Sequence, residues 1–115
     1  SMIFYRQATV SSHASEHSEK SPFIPSFIKR VAHPNDYTIF KLDIDAPHVE
    51  DANIEFILAD EDNHIDEIAW EHHIRGNYLM EEWGDLETLA PFSLRESYEL
   101  FLKMRLKGIR AHSWI

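Results

Sequence analysis

The chain has no cysteine. That excludes disulfide bonds, thiolate metal ligands and a cysteine nucleophile. Glycine is nearly as scarce, with Gly76, Gly84 and Gly108 the only three. They stand too far apart to build a glycine-rich phosphate-binding loop. No apolar run approaches the ~20 residues that cross a bilayer, and no charged-then-apolar amino terminus of the secretory kind is present. Positive charge is also in short supply: 11 Lys and Arg stand against 20 Asp and Glu, a formal net charge of -9. Phosphate backbones require clustered Lys and Arg, so neither nucleic acid nor a membrane is an expected partner. The basic residues Lys103, Arg105, Lys107 and Arg110 fall in and just beyond the last turns of a predicted helix, where cations offset the helix dipole. A reducing, cytoplasmic setting is the expectation for such a composition.

What is present fits one domain over residues 1–115, with hydrophobic residues at 43%. Ser1-Met2 reads as a cloning remnant. Residues 1–21 read as an amino-terminal strand (Ile3 to Val10) and a polar loop, with the α/β core over 22–115. His13 and His17 in that loop stand at i and i+4, which is metal spacing only if the segment is helical. Phe23, Ile24, Phe27, Ile28 and Val31 follow a helical period starting near Pro25. His33-Pro34-Asn35-Asp36 then turns the chain. Tyr37 to Ile44 reads as a strand with apolar residues on both faces (Ile39, Phe40, Leu42, Ile44), as in a parallel strand covered on both sides.

A helix follows from His48 to Asp60, with Val49, Ala52, Phe56 and Ala59 on its apolar face and Ile57 beside them. Glu50 and Asp51 occupy its first turn, where negative charge is favoured. Asp60-Glu61-Asp62-Asn63 reads as a solvated acidic turn. Ile65 to Ala69 is a second strand, running into Trp70-Glu71-His72-His73. Arg75 to Phe92 shows no clean period and reads as a lid. Ser93-Leu94-Arg95-Glu96 is a capping-box signature for a third helix, which Gly108 should end. Ile109 to Ile115 is a last strand, carrying His112.

Strands alternating with helices imply right-handed crossovers and a mainly parallel sheet. The expected fold is an α/β three-layer sandwich with a short sheet. Parallel strands gather their polar ends on one edge, where open α/β sheets bind ligands. Asp43, Asp45, His48, Glu71, His72, His73 and His112 are the residues that converge there on this reading. Asp43, Asp45, Glu71 and His73 are the candidate catalytic set, with acid/base work falling to Asp45 or His73. Carboxylate with imidazole also suits a transition metal. His72 and His73 are adjacent in an extended chain and point to opposite faces, so they do not share one ion. The bland alternative is a structural network, since strand-end Asp residues often cap the next helix. Trp70, Trp83 and Trp114 either wall a ligand or pack the core.

Lys41-Leu42-Asp43-Ile44-Asp45-Ala46 resembles the K-[IL]-D-[IV]-E-G segment of FkbM-type S-adenosylmethionine-dependent methyltransferases. Ile68-Ala69-Trp70-Glu71-His72-His73 resembles the following strand of that family, and the last helix, Gly108-Ile109-Arg110 and final strand resemble its tail. The similarity covers residues 22–115, the carboxyl-terminal half of such a domain. It implies a Rossmann-like sheet, S-adenosylmethionine as methyl donor, and Asp43, Asp45 and Glu71 at the active-site edge. Two departures stand out. Asp45-Ala46-Pro47 replaces the family's Glu-Gly, and the half that carries the glycine-rich turn and the ribose-binding acid is absent, so no donor-binding residue carries over. A half-sheet leaves the Tyr37–Ile44 strand as an edge that must be covered. The expected cover is a homodimer, a partner chain or the first ten residues. The functional expectation is a methyltransferase-like domain inactive alone. The alternatives are an assembly module that keeps only the fold and a small metal-dependent hydrolase.

Overall fold

In a computed structural model, residues 2–5, 10–13, 18, 20–75 and 92–114 are described. The element order is α1 (Ile24–Val31), β1 (Ile39–Leu42), α2 (Pro47–Ala59), β2 (Glu67–Trp70), α3 (Leu94–Leu106) and β3 (Arg110–Ser113). The strands form one parallel sheet in the order β1-β2-β3. The expected small α/β fold with a short parallel sheet is therefore present. Among the described residues no helix is long and apolar enough to cross a membrane.

Local chemistry accounts for the element ends. Pro25 sits in the first turn of α1, where a missing N–H costs nothing. Asp36 accepts the His33 amide at 2.8 Å and so closes the turn that follows. The capping box opens α3 as expected. Ser93 Oγ accepts the Glu96 amide at 3.2 Å, and Glu96 Oε2 accepts the Ser93 amide at 2.6 Å. At the other end Gly108 adopts φ 91, the Gly108 amide bonds to the Arg105 carbonyl and the Ile109 amide to that of Met104. This is a Schellman closure, which favours glycine at the left-handed position. Replacing Ser93 with alanine is expected to lower stability by about 1 kcal/mol. Thermal unfolding followed by circular dichroism reads this, and an unchanged melting temperature would deny the cap any weight.

The register aligns Phe40 with Ile68 and Ala111, and Leu42 with Trp70 and Ser113. Residues paired in this way share one face of the sheet. Ile28 of α1, Ile54 and Ile57 of α2, and Phe101 and Met104 of α3 join Phe40, Leu42, Ile68, Trp70 and Ala111 in a single core. All three helices thus lie on one face. The reason is topological: two right-handed crossovers that step the same way across a sheet deliver both helices to the same side. The second helical layer of the expected three-layer sandwich is not found among the described residues. Tyr37, Ile39, Lys41, Glu67, Arg110 and His112 face the other side, and Ile39 is 61% exposed. Glu67 there accepts from Tyr37 Oη at 2.9 Å and from His112 Nε2 at 2.7 Å. The expected apolar-on-both-faces strand is therefore one-sided.

Two further expectations need correction. The apolar face assigned to the second helix is rotated: Glu50, Asn53, Ile54 and Ile57 are buried, and Phe56 is 36% exposed. Of the proposed strand Ile3 to Val10, residues 2–5 and Val10 carry no strand. Tyr5 instead meets Phe27 of α1 edge-to-face, with ring centroids 4.9 Å apart; residues 6–9 lie outside the described residues, as do His17, Trp83 and most of the expected lid. β1 remains an edge of the described sheet. It is short and carries an outward Lys41, two features that blunt an edge.

Candidate functional site

Beyond β1 and β2 the chain stays extended. The Glu71 amide bonds to the Leu42 carbonyl at 3.0 Å and prolongs the ladder. Alternation along this extension separates the neighbours that follow β2. His73 turns toward the β1–α2 turn, and its Nε2 lies 3.2 Å from Asp45 Oδ1. A carboxylate only accepts, so His73 Nε2 carries the hydrogen in this pair. His72 goes the other way. It stacks on Trp70 with centroids 3.9 Å apart and its Nδ1 meets Ser97 Oγ at 2.8 Å. Burial, reinforced by His73, pushes its imidazole down to about 4.

Asp45, Glu71 and His73 each offer a ligand atom, and these atoms lie within 4.8 Å of one another. His73 is 6% exposed, whereas the Asp45 side chain is 61% exposed. The cluster therefore has a buried nitrogen at its floor and a carboxylate at its mouth. Asp45 takes φ 54, a left-handed conformation that Asp tolerates better than most residues. Asp43 is the fourth member. Its Oδ2 lies 2.7 Å from Lys41 Nζ, and a hydrogen bond joins its carboxyl group to that of Glu71. The Lys41 hydrogen bond, with that from Glu71, holds Asp43 below the usual carboxylate range. The Asp43 hydrogen bond, burial and the Asp43 charge raise Glu71. Two neighbouring carboxyl groups are thus pushed apart, Glu71 keeping its proton to the higher pH.

All four candidate catalytic residues come together. Three other members of the predicted constellation do not. His72 belongs to the core stack, His112 pairs with Glu67 on the open face, and His48 is exposed on the first turn of α2. Trp70 is 0% exposed and packs the core, while Trp114 lies under Lys41 Nζ at 4.6 Å.

One residue beneath the site does more than offset the helix dipole. Glu50 is 1% exposed. Its Oε1 accepts the Ile44 amide at 3.0 Å and its Oε2 accepts Trp70 Nε1 at 3.2 Å. It ties the turn that carries Asp43 and Asp45 to the end of β2. Burial raises its pKa against the pull of both donors. A sequence signal did exist: Glu50 stands four and seven residues before Ile54 and Ile57, within the buried stripe.

A glycine-rich nucleotide-binding turn needs free amides and close backbone approach. Here the Ile44 amide is taken by Glu50, and the Val49 and Glu50 amides bond to the Ala46 carbonyl. No glycine lies between β1 and α2. The β1–α2 turn therefore offers no glycine-rich cradle of free amides. An open surface depression of about 390 Å³ is lined by Arg105, Gly108, Ile109 and Arg110 among others, and by no residue of the cluster. Compared with protein-family models, curated proteins and solved structures, the chain has no significant match.

Proposed function

We propose that this chain is the acceptor-side half of an FkbM-type methyltransferase-like domain, inactive alone, whose donor-binding half comes from other polypeptide. The observation that carries the reading is the convergence of Asp43, Asp45, Glu71 and His73 beyond the ends of two parallel strands. That edge is where open α/β sheets hold their ligands. Asp45, exposed and oriented by the His73 N–H, is the group that meets an acceptor and takes its proton. Glu71, with its raised pKa, is the member suited to donate. Among the described residues the edge of β1 and one sheet face carry no covering element, which gives a second half, or a second copy of the chain, room to dock.

The test is calorimetric titration with S-adenosylmethionine and its demethylated product. The 115-residue chain is expected to give no heat. A longer product including the upstream coding sequence is expected to contain a glycine-rich strand–turn–helix and to bind at micromolar concentration. If the upstream sequence lacks that element and no added half or second copy restores binding, the methyltransferase reading is lost. An assembly module keeping only the fold would then be the better account, and the uncovered face of Tyr37, Ile39 and Trp114 favours it. Size-exclusion light scattering on the same sample checks the homodimer.

A further inference from the structure

We infer that Asp45, Glu71 and His73 form a binding site for one divalent first-row transition metal ion, with zinc as the expected tight binder. The inference is independent of any methyl donor. It starts from the alternation after β2. Glu71 and His73 are two residues apart on an extended segment, so both face the turn that presents Asp45. Three donor atoms then lie within 4.8 Å of one another. Around a zinc ion with bonds of ~2.0–2.2 Å, tetrahedral ligand atoms sit roughly 3.3–3.6 Å apart. Asp45 Oδ1 and His73 Nε2 already lie 3.2 Å apart, so bringing all three atoms to that spacing takes a movement on the order of an ångström. The ion takes the place of the hydrogen on His73 Nε2, which passes to the other ring nitrogen or to solvent on binding.

The donor set chooses the ion. Magnesium and calcium favour all-oxygen shells. One imidazole nitrogen with two carboxylates favours zinc, manganese or iron instead, and the absence of cysteine removes the soft ligands that select copper(I). Three protein ligands leave a coordination position for water or substrate, the arrangement of catalytic rather than structural centres. Ligation requires Glu71 to give up the proton it shares with Asp43, and Asp43 stays paired with Lys41 Nζ at 2.7 Å beside it. A cation here would also offset the clustered negative charge of Asp43, Asp45 and Glu71.

The experiment uses the untagged chain, stripped with chelator and titrated calorimetrically with zinc alone, then with magnesium alone. One zinc per chain at micromolar affinity is expected, with no magnesium binding. Asp45→Asn and Glu71→Gln should each weaken zinc at least tenfold. His112→Gln, on the opposite face of the sheet, should leave it unchanged. Asp45 is exposed, so its variant keeps the fold, which a circular dichroism melt verifies. Absence of stoichiometric zinc binding overturns the inference. So does binding that survives Asp45→Asn but is lost in His13→Gln, which would assign the ion to the amino-terminal histidines. Zinc binding would occupy the groups to which the methyltransferase reading gives proton transfer, whereas its absence leaves that reading to the methyl-donor titration.

Discussion

Replacing Glu50 with alanine should cost about 3–5 kcal/mol of folding stability, read by urea denaturation at neutral pH. Two buried donors, the Ile44 amide and Trp70 Nε1, would lose their acceptor together. Each unsatisfied buried group costs about 1–3 kcal/mol, and removing one side of a buried charged pairing falls in the same total range. The domain as a whole has only ~6–17 kcal/mol to lose, at 0.05–0.15 kcal/mol per residue. Glu50→Gln should cost less, about 1–2 kcal/mol, because its carbonyl oxygen still serves one donor. Because Glu50 also braces the turn that carries Asp45, the alanine variant should weaken zinc binding even where it remains folded. A loss below about 1 kcal/mol for alanine would mean that water or a local shift replaces the carboxylate, and Glu50 would cease to be the brace of the site.

The second large effect is hidden in the wild-type protein. Asp51 and His72 are both partly buried and shift in opposite directions. Burial, with help from the Glu50 and Glu55 charges, raises Asp51 to about 7 from 3.8. Burial lowers His72 from 6.5 to about 4. For Asp51 the folded state keeps a proton that the unfolded chain has released. Its contribution is complete below 3.8 and is lost as pH rises toward about 7. For His72 the unfolded chain takes up a proton that the folded state refuses. Its contribution is complete above 6.5 and is lost as pH falls toward about 4.

Between about pH 4 and 6.5 the two slopes oppose each other, so their sum is nearly flat. Single substitutions should unmask them. His72→Phe keeps an aromatic ring against Trp70 and should leave stability falling as pH rises. Asp51→Asn should leave it falling as pH drops. Both groups keep contact with solvent, so each change across the window should be about 1–2 kcal/mol rather than the full 1.36 kcal/mol per pH unit. Urea unfolding at three pH values, followed by tryptophan fluorescence, measures both. Variants whose pH slopes match the wild type would remove Asp51 and His72 from the titration.

Much of the architecture was legible because it is written in local chemistry. The Ser93 and Glu96 spacing opened α3 where expected, and Gly108 closed it, since a cap depends on a few adjacent residues. The run into Asp43 and Asp45 and the run into Glu71 and His73 pointed to one sheet edge, because parallel pairing forces strand ends together. The face of α2 was not legible in the same way. Its apolar residues allow more than one stripe, and the choice fell to Glu50 and Asn53, polar residues buried by partners distant in sequence. Glu50 finds Ile44 and Trp70, and Asn53 Nδ2 reaches the Ser11 carbonyl as well as that of Val49.

The fate of the histidines divides along the same line. That His72 and His73 part company follows from alternation in an extended chain. That His72 stacks on Trp70, that His73 meets Asp45 and that His112 turns to Glu67 depends on register and on which face the helices cover. The sequence by itself determined the order of helices and strands, the parallel sheet and the edge at which the carboxylates collect. Each of these follows from period, capping and chain connectivity. Only the tertiary structure decided that, among the described residues, the helices lie on one face of the sheet, that Glu50 is a buried brace, and that Asp45, Glu71 and His73 come together. Those outcomes rest on contacts between residues far apart in the chain, which no local pattern encodes.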